Sequence, residues 1–294
     1  MKGYLAALSA YIFWGLSPLF WKLLTEVPAT EILIHRIIWS LPLLLALIFI
    51  RGQGASFFAR IKSAKTLKVY IISAFLLAGN WLTYIWAVNN NFIVEASLGY
   101  FINPLVNVLL GVIFLKERMR PLQWLSVLLA TAGVLYLTFH YGQFPWIALT
   151  LAFSFGIYGF IRKTGTMEAL EGLSYEMMVL FVPGLLFMFY LARNGGLYIS
   201  TAPAGMNTLL ILTGMITILP LIWFAYGARR IPLGTLGFLQ YIGPTLQFLL
   251  GVFLYHEPFD SARLTGFGLI WLALLIYSLE LTYRLRRGHA GAGG

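Results

Sequence analysis

The sequence predicts an all-α integral membrane protein of ten transmembrane helices arranged as two inverted five-helix repeats. Three observations predict it. Apolar stretches follow one another almost from end to end, each near the length of about 20 residues that a helix needs to cross about 30 Å of hydrocarbon. The basic residues collect in alternate connections between those stretches. The second half of the chain repeats residues of the first at a near-constant offset.

A soluble domain is about half apolar and a quarter charged; here 60% of 294 residues are hydrophobic and 10% are charged. Apolar runs between charged or Gly-, Pro- and Asn-rich breaks place spans at residues 4–24, 32–50, 67–88, 93–115, 122–139, 144–161, 175–191, 209–227, 233–255 and 264–281. The first run follows Lys2 but lacks the short apolar region and small-residue cleavage site of a signal peptide, so it reads as a retained span. The connections are short, which makes consecutive helices antiparallel. There is no cysteine, which removes disulfides, thiolate catalysis and Cys-ligated metals from consideration.

A net charge of +10 would suggest nucleic acid in a soluble protein. In a membrane protein it follows from loop charges that fix topology, and no nucleic-acid partner is expected. With the N-terminus inside, cytoplasmic segments hold Lys2; Arg51, Arg60, Lys62, Lys65 and Lys68; Lys116, Arg118 and Arg120; Arg162 and Lys163; Arg229 and Arg230; and Arg284, Arg286 and Arg287. These are 16 of the 20 basic residues; Lys22, Arg193 and Arg263 fall on the opposite side, and Arg36 lies within a span. Both termini are expected in the cytoplasm.

The two halves, 1–140 and 141–294, share a register. Ser97-Leu98-Gly99-Tyr100 parallels Thr235-Leu236-Gly237-Phe238, and Pro104, Asn107, Gly111 and Glu117 match Pro244, Gln247, Gly251 and Glu257 at an offset of 140. Trp14-Gly15 and Lys22 match Phe155-Gly156 and Lys163 at an offset of 141. Five spans separate the copies, and because five is odd the second copy enters from the opposite side. Two such bundles can exchange conformations about a site between them, which is the geometry of alternating access.

Gly79-Asn80-Trp81-Leu82-Thr83-Tyr84-Ile85-Trp86-Ala87-Val88-Asn89, Glu95-Ala96-Ser97-Leu98-Gly99-Tyr100-Phe101-Ile102-Asn103-Pro104-Leu105 and Phe114-Leu115-Lys116-Glu117-Arg118 together resemble the EamA-type permeases of the drug/metabolite transporter superfamily. His35-Arg36-Ile37-Ile38-Trp39-Ser40 and Gly237-Phe238-Leu239-Gln240-Tyr241-Ile242-Gly243-Pro244-Thr245 narrow the resemblance to the RarD group. The resemblance covers nearly the whole chain. It implies the drug/metabolite transporter fold in a bacterial inner membrane, with a central cavity lined mainly by the third, fourth, eighth and ninth helices, and it supplies no substrate.

Ionisable groups inside a span are costly and face the bundle interior. Arg36 and Glu95 occupy the same leaflet, where Arg36 could hold a substrate carboxylate, Glu95 could take up a proton, or the two could form a structural pair. Pro104 and Pro244 each remove a backbone donor and free a carbonyl one turn earlier. They place two helix breaks at matching positions, beside Asn103 and Asn107 in one half and Gln240 and Gln247 in the other. Asn80, Trp81, Tyr84 and Tyr100, with Trp223, Tyr226 and Tyr241, complete the expected polar and aromatic substrate lining, suited to an amphipathic organic solute. Trp86, near a helix end, reads as a belt residue, and Glu117 and Glu257 as helix caps or loop pairs.

No G-x-x-x-x-G-K-[ST] is present, so ATP-driven transport by this chain is unsupported. No metal or cofactor is expected. The expected partners are a small-molecule substrate and the lipid bilayer, with a homodimer left open. A secondary transporter is the leading function; the alternatives are a non-transporting membrane sensor or scaffold, and a membrane-embedded enzyme, for which 4 His and 10 acidic residues are sparse and dispersed.

Overall fold

A computed structural model describes residues 1–61, 64–89, 92–142, 144–254 and 261–290, and every regular element among them is helical. Helix α1 (Lys2–Leu16) gives way at Ser17-Pro18 to the single turn α2 (Pro18–Trp21) and a 3-10 turn (Lys22–Leu24). Pro18 has no amide hydrogen to continue the ladder, and the Ser17 hydroxyl donates instead to Trp14 O at 2.8 Å. There follow α3 (Ala29–Ile50), the short α4 (Gly54–Ile61), α5 (Ala64–Asn89), α6 (Ile93–Leu115) and α7 (Pro121–Tyr141). The second half holds α8 (Trp146–Thr164), α9 (Ala169–Arg193), α10 (Ala204–Ala228), α11 (Leu233–Gln240), α12 (Ile242–Leu249) with a π-helical turn (Leu250–Leu254), and α13 (Ser261–Ala290).

Eight helical stretches among the described residues are long and apolar enough to cross a membrane: Lys2–Leu24, Ala29–Ile50, Leu67–Ala87, Leu98–Leu115, Pro121–His140, Ala169–Arg193, Ala204–Ala228 and Leu264–Tyr283. Two expected spans stand apart, each for a physical reason. Helix α8 is diluted by Thr150, Ser154, Gly156, Gly159, Arg162 and Lys163, of which all but the exposed Thr150 face neighbouring elements. The ninth is divided at Tyr241 into α11 and α12.

Breaks were expected at both prolines, and only Pro244 has one. Helix α6 runs unbroken through Pro104. The break in the second half falls at Tyr241, three residues ahead of Pro244, which lies inside α12 and has no amide hydrogen to donate to Gln240 O. Beside Pro104 the Asn103 side chain donates to Ala152 O and anchors α6 to α8. A second difference is at α9, which begins at Ala169 rather than at 175. A capping box formed by Glu168 and Glu171 starts it early, bringing Glu171 into the helix.

Helix α3 lies against α9 and α10, α1 against α10 and α12, α5 against α8 and α9, α6 against α8 and α11, and α7 against α13. Small residues set these approaches, since apolar contact alone gives helices no preference for each other over lipid. A Cβ on Gly214 of α10 would stand 2.6 Å from the carbonyl carbon of Trp39 on α3. Large apolar side chains such as Phe75, Leu128, Leu186 and Phe189 are exposed on the outside of the bundle, the surface a bilayer covers.

Candidate functional site

A cavity of about 540 Å³ lies among α1, α2, α3, α5, α6, α8, α10, α11 and α12, within the range of small-molecule sites. Its mouth is at the exposed Lys22 and Thr25 and at Ala29 and Ile32 on the first turn of α3. Its interior runs past Arg36, Trp81, Tyr84 and Tyr100 to Asn80, Gln240 and Gln247 at mid-bundle. The α11–α12 break lays Gly243 and Pro244 along the wall.

Arg36 is the eighth residue of α3, about 10 Å along the axis from the helix start at 1.5 Å per residue. It is deeper than the sequence suggested because α3 begins at Ala29. Its guanidinium carbon sits 4.4 Å from the Trp81 ring centroid and 5.1 Å from that of Trp21, and Nε donates to Thr217 Oγ1 at 3.0 Å. Each cation–π contact contributes about 0.5–2 kcal/mol according to its desolvation. The side chain of Glu95 lies outside the described residues, as does residue 257.

The amides are already partly engaged. Asn80 Nδ2 donates to Leu151 O at 3.0 Å and to Ser154 Oγ at 2.9 Å, leaving its oxygen as an acceptor. Gln247 Nε2 donates to Trp14 O at 3.1 Å. Asn107 Nδ2 donates to Asn103 Oδ1 at 3.2 Å and Gln240 Oε1 at 3.3 Å. Asn103 and Asn107 are thus buried behind the wall and support Gln240 rather than line the cavity. Tyr241 is buried on the same side, its hydroxyl donating to Phe101 O at 3.2 Å.

Two expected lining residues lie elsewhere. Trp223 belongs to a separate groove of about 420 Å³ between α1 and α10, and Tyr226 lies under Arg230, whose guanidinium carbon is 3.5 Å from its ring centroid. Both are on α10 faces that point away from the cavity, a rotation set by Gly214 and Thr217 meeting α3. Trp86 meets Phe92 and Trp146 at 5.6 Å each, near the end of α5.

Sequence reasoning missed the aromatic floor. Phe155 stands 5.8 Å from Trp14 and 5.2 Å from Phe224, and Tyr158 stacks on Phe224 at 6.0 Å. The repeat of Trp14-Gly15 as Phe155-Gly156 was the available signal. Beneath this floor is a fully buried charge pair, also missed: Arg162 Nη1 and Glu176 Oε1 are 3.5 Å apart. Arg162 Nη2 donates to Ala169 O at 2.7 Å, and Glu176 accepts from Ser73 Oγ and from Tyr158 OH. Burying both charges costs several kcal/mol per ion unless hydrogen bonds complete the pair. Arg162 looked like a loop charge because the run of apolar residues stops before it.

Around this pair, Arg60 bonds Glu171 at 2.7 Å, Arg229 Nη1 donates to Met167 O at 2.8 Å, and Glu117 accepts from Leu233 N and Gly234 N at 2.7 and 3.0 Å. The bundle is therefore open at one end and shut at the other by aromatic rings over a polar network. Among the described residues, no three His, Asp or Glu side chains form a metal-ligand group.

The sequence profile of the EamA-like transporter family matches residues 1–139. Protein RarD of Escherichia coli (strain K12) is 46% identical over 286 residues, covering 97% of each chain. The chain belongs to the EamA-like transporter family, in its RarD group. An uncharacterised transporter, YojE of Bacillus subtilis (strain 168), is 44% identical to this EamA-type chain over 95% of its length and 94% of its own. Chloramphenicol-sensitive protein RarD of Pseudomonas aeruginosa is 30% identical over 97% of this chain and 96% of its own. A crystal structure 18% identical in sequence shares the fold with a TM-score of 0.72, over 95% of this chain and 98% of that one. This RarD-type chain is a multi-pass membrane protein of a transporter family.

Proposed function

We propose that this protein is a secondary transporter that moves a small organic solute across the bacterial inner membrane by alternating access between two inverted repeats, residues 1–140 and 141–294. The observation that carries the reading is a cavity open at one end of the bundle and closed at the other by elements that match across the halves. The two divergent helices, α8 and α11–α12, count as crossings in this reading, which gives ten and returns both termini to the cytoplasm.

Equivalent contacts support the repeat. A Cβ on Gly15 would meet Leu246 Cβ at 2.8 Å, and one on Gly156 would meet Val106 Cγ1 at 2.6 Å; Gly15 corresponds to Gly156 and Leu246 to Val106. Helix α3 meets α10 as α9 meets α5, and α1 meets α12 as α8 meets α6. Arg36 and Glu176 are 140 residues apart, and each bonds a hydroxyl on the corresponding helix of the other half, Thr217 on α10 and Ser73 on α5. Rocking one half against the other would draw Phe155 and Phe224 away from Tyr11 and Trp14 of the first half while bringing Trp81, Tyr84 and Tyr100 over the mouth.

This reading puts Lys22 and Thr25 outside, so the open end of the cavity would face outward. The solute would lie against Arg36, Asn80, Trp81, Tyr84, Tyr100, Gln240 and Gln247, with Asn103, Asn107, Pro104 and Pro244 shaping the wall behind it. Purified protein in liposomes gives the test: solute flux that saturates, leaves the solute unaltered and proceeds without ATP is expected. A chemically altered product in the same vesicles would replace this reading with an enzyme.

A further inference from the structure

From the charge and hydrogen-bonding inventory of the cavity, we infer that the solute is an organic anion with a flat apolar body, whose carboxylate or phosphate docks on the guanidinium of Arg36. The inference rests on the transport reading and gives its solute a chemical class.

The cavity is lined by two cations, Arg36 and Lys22, and by no carboxylate among the described residues. Such a space concentrates anions and disfavours cations, because low-dielectric walls focus the field. Arg36 is held for planar recognition. Trp21 and Trp81 stack about it, and Nε is used by Thr217, which fixes the guanidinium plane. Neither Nη has a hydrogen-bond partner among the described residues, and the guanidinium fork matches the two oxygens of a carboxylate or phosphate. An arginine kept inside a membrane domain carries a high desolvation cost unless a counter-charge arrives.

Below Arg36 the wall turns apolar and aromatic, with Trp14, Phe155, Ile216 and Leu221, and ends on the Asn80 oxygen, whose nitrogen is already committed. A molecule with an anionic head, a flat body and a small donor at its far end would satisfy each of these groups.

The test is binding to detergent-purified full-length protein, read by tryptophan fluorescence and by thermal midpoint. The probes are benzoate, phenylacetate, 4-hydroxyphenylacetate and phenyl phosphate, each beside its neutral counterpart: benzamide, phenylacetamide, 4-hydroxyphenylacetamide and phenol. At least one anion is expected to raise the midpoint and quench emission, with an apparent affinity roughly ten- to hundredfold above its neutral partner, the worth of a charge-assisted pair. Carboxylate and phosphate arms distinguish the two head groups. R36Q should abolish the difference while binding the neutral compound as before, and R36K should retain part of it, which guards against loss of folding. E95Q should leave the anion preference in place, which separates a solute anion from an internal carboxylate partner. Equal binding of anions and neutral compounds by the wild type, or an anion preference intact in R36Q, overturns the inference, as does the absence of any anion effect. Flux of the bound anion in liposomes is scored separately: binding through Arg36 without flux would refute transport and leave the anion site standing.

Discussion

At Glu117 one carboxylate closes the N-terminus of α11 by accepting from two consecutive amides, Leu233 N and Gly234 N. It can do so because Lys116 takes a left-handed conformation, φ 54°, ending α6 and turning the next side chain across to the other half. Helix N-terminal amides otherwise lack partners, and an unmet buried donor costs about 1–3 kcal/mol. Glu117→Ala should therefore lower the thermal midpoint in detergent more than Glu117→Gln, and Glu168→Gln, at a half-exposed position, should barely change it; an unaltered midpoint in Glu117→Ala would rule the cap out. The buried pair gives a second comparison. Arg162→Met alone strands Glu176 and should cost about 3–5 kcal/mol, while the double variant Arg162→Met/Glu176→Met should recover much of that loss. Denaturation of the single and double variants measures it, and an additive double variant would mean the charges do not act as a pair.

Between elements, Gly237 of α11 approaches α6 closely behind the cavity wall. A Cβ there would stand 2.6 Å from Pro104 O and 3.0 Å from Asn107 Cβ. Gly237→Ala should force α6 and α11 apart, costing about 1–3 kcal/mol and reducing flux in liposomes. Gly268→Ala, where a Cβ meets nothing within 4 Å, should leave both unchanged; full flux in Gly237→Ala would show that the approach is dispensable. Much of this element-level order was readable beforehand. Apolar runs marked most of the membrane-length helices because hydrophobic length is a one-dimensional property. Arg36, Asn80, Trp81, Tyr84, Tyr100, Gln240 and Gln247, which line the cavity, were legible as candidates because polar and aromatic groups stand out in apolar runs. Helix rotation was not readable, so Trp223 and Tyr226 were assigned to a wall they do not face. The Arg162–Glu176 pair was missed for a related reason: charge was used to end helices, and here a charge is buried inside one. The break ahead of Pro244 without one at Pro104 was not readable from the prolines alone, because the hold of Asn103 on α8 is a tertiary contact.

For the whole molecule, the proposed exchange of open and closed ends makes a reciprocal prediction. Ala29 stands at the cavity mouth and Ala169 occupies its counterpart position 140 residues on, 5% exposed at the closed end. The chain has no cysteine, so Ala29→Cys and Ala169→Cys each supply a single reporter. A thiol reagent in detergent should label Ala29→Cys quickly and Ala169→Cys slowly, and a transported solute should shift the two rates in opposite directions. Rates that rise or fall together would contradict the exchange.

The opposite charges at matched positions, Arg36 above and Glu176 below, have a further consequence for energetics. In a transporter with two identical halves, the two end states would be mirror conformers of equal free energy and would be equally populated at rest. Among the described residues, only the charge at the closed end has a partner, Arg162 for Glu176. The position matching Arg162 at the open end, 141 residues earlier, is Trp21, which can stack on Arg36 and cannot neutralise it. In the alternating-access reading this difference would lift the degeneracy and favour the open form at rest. A ligand shifts such an equilibrium only by its difference in affinity for the two forms, so the cargo itself would have to supply the missing countercharge before the mouth could close over it.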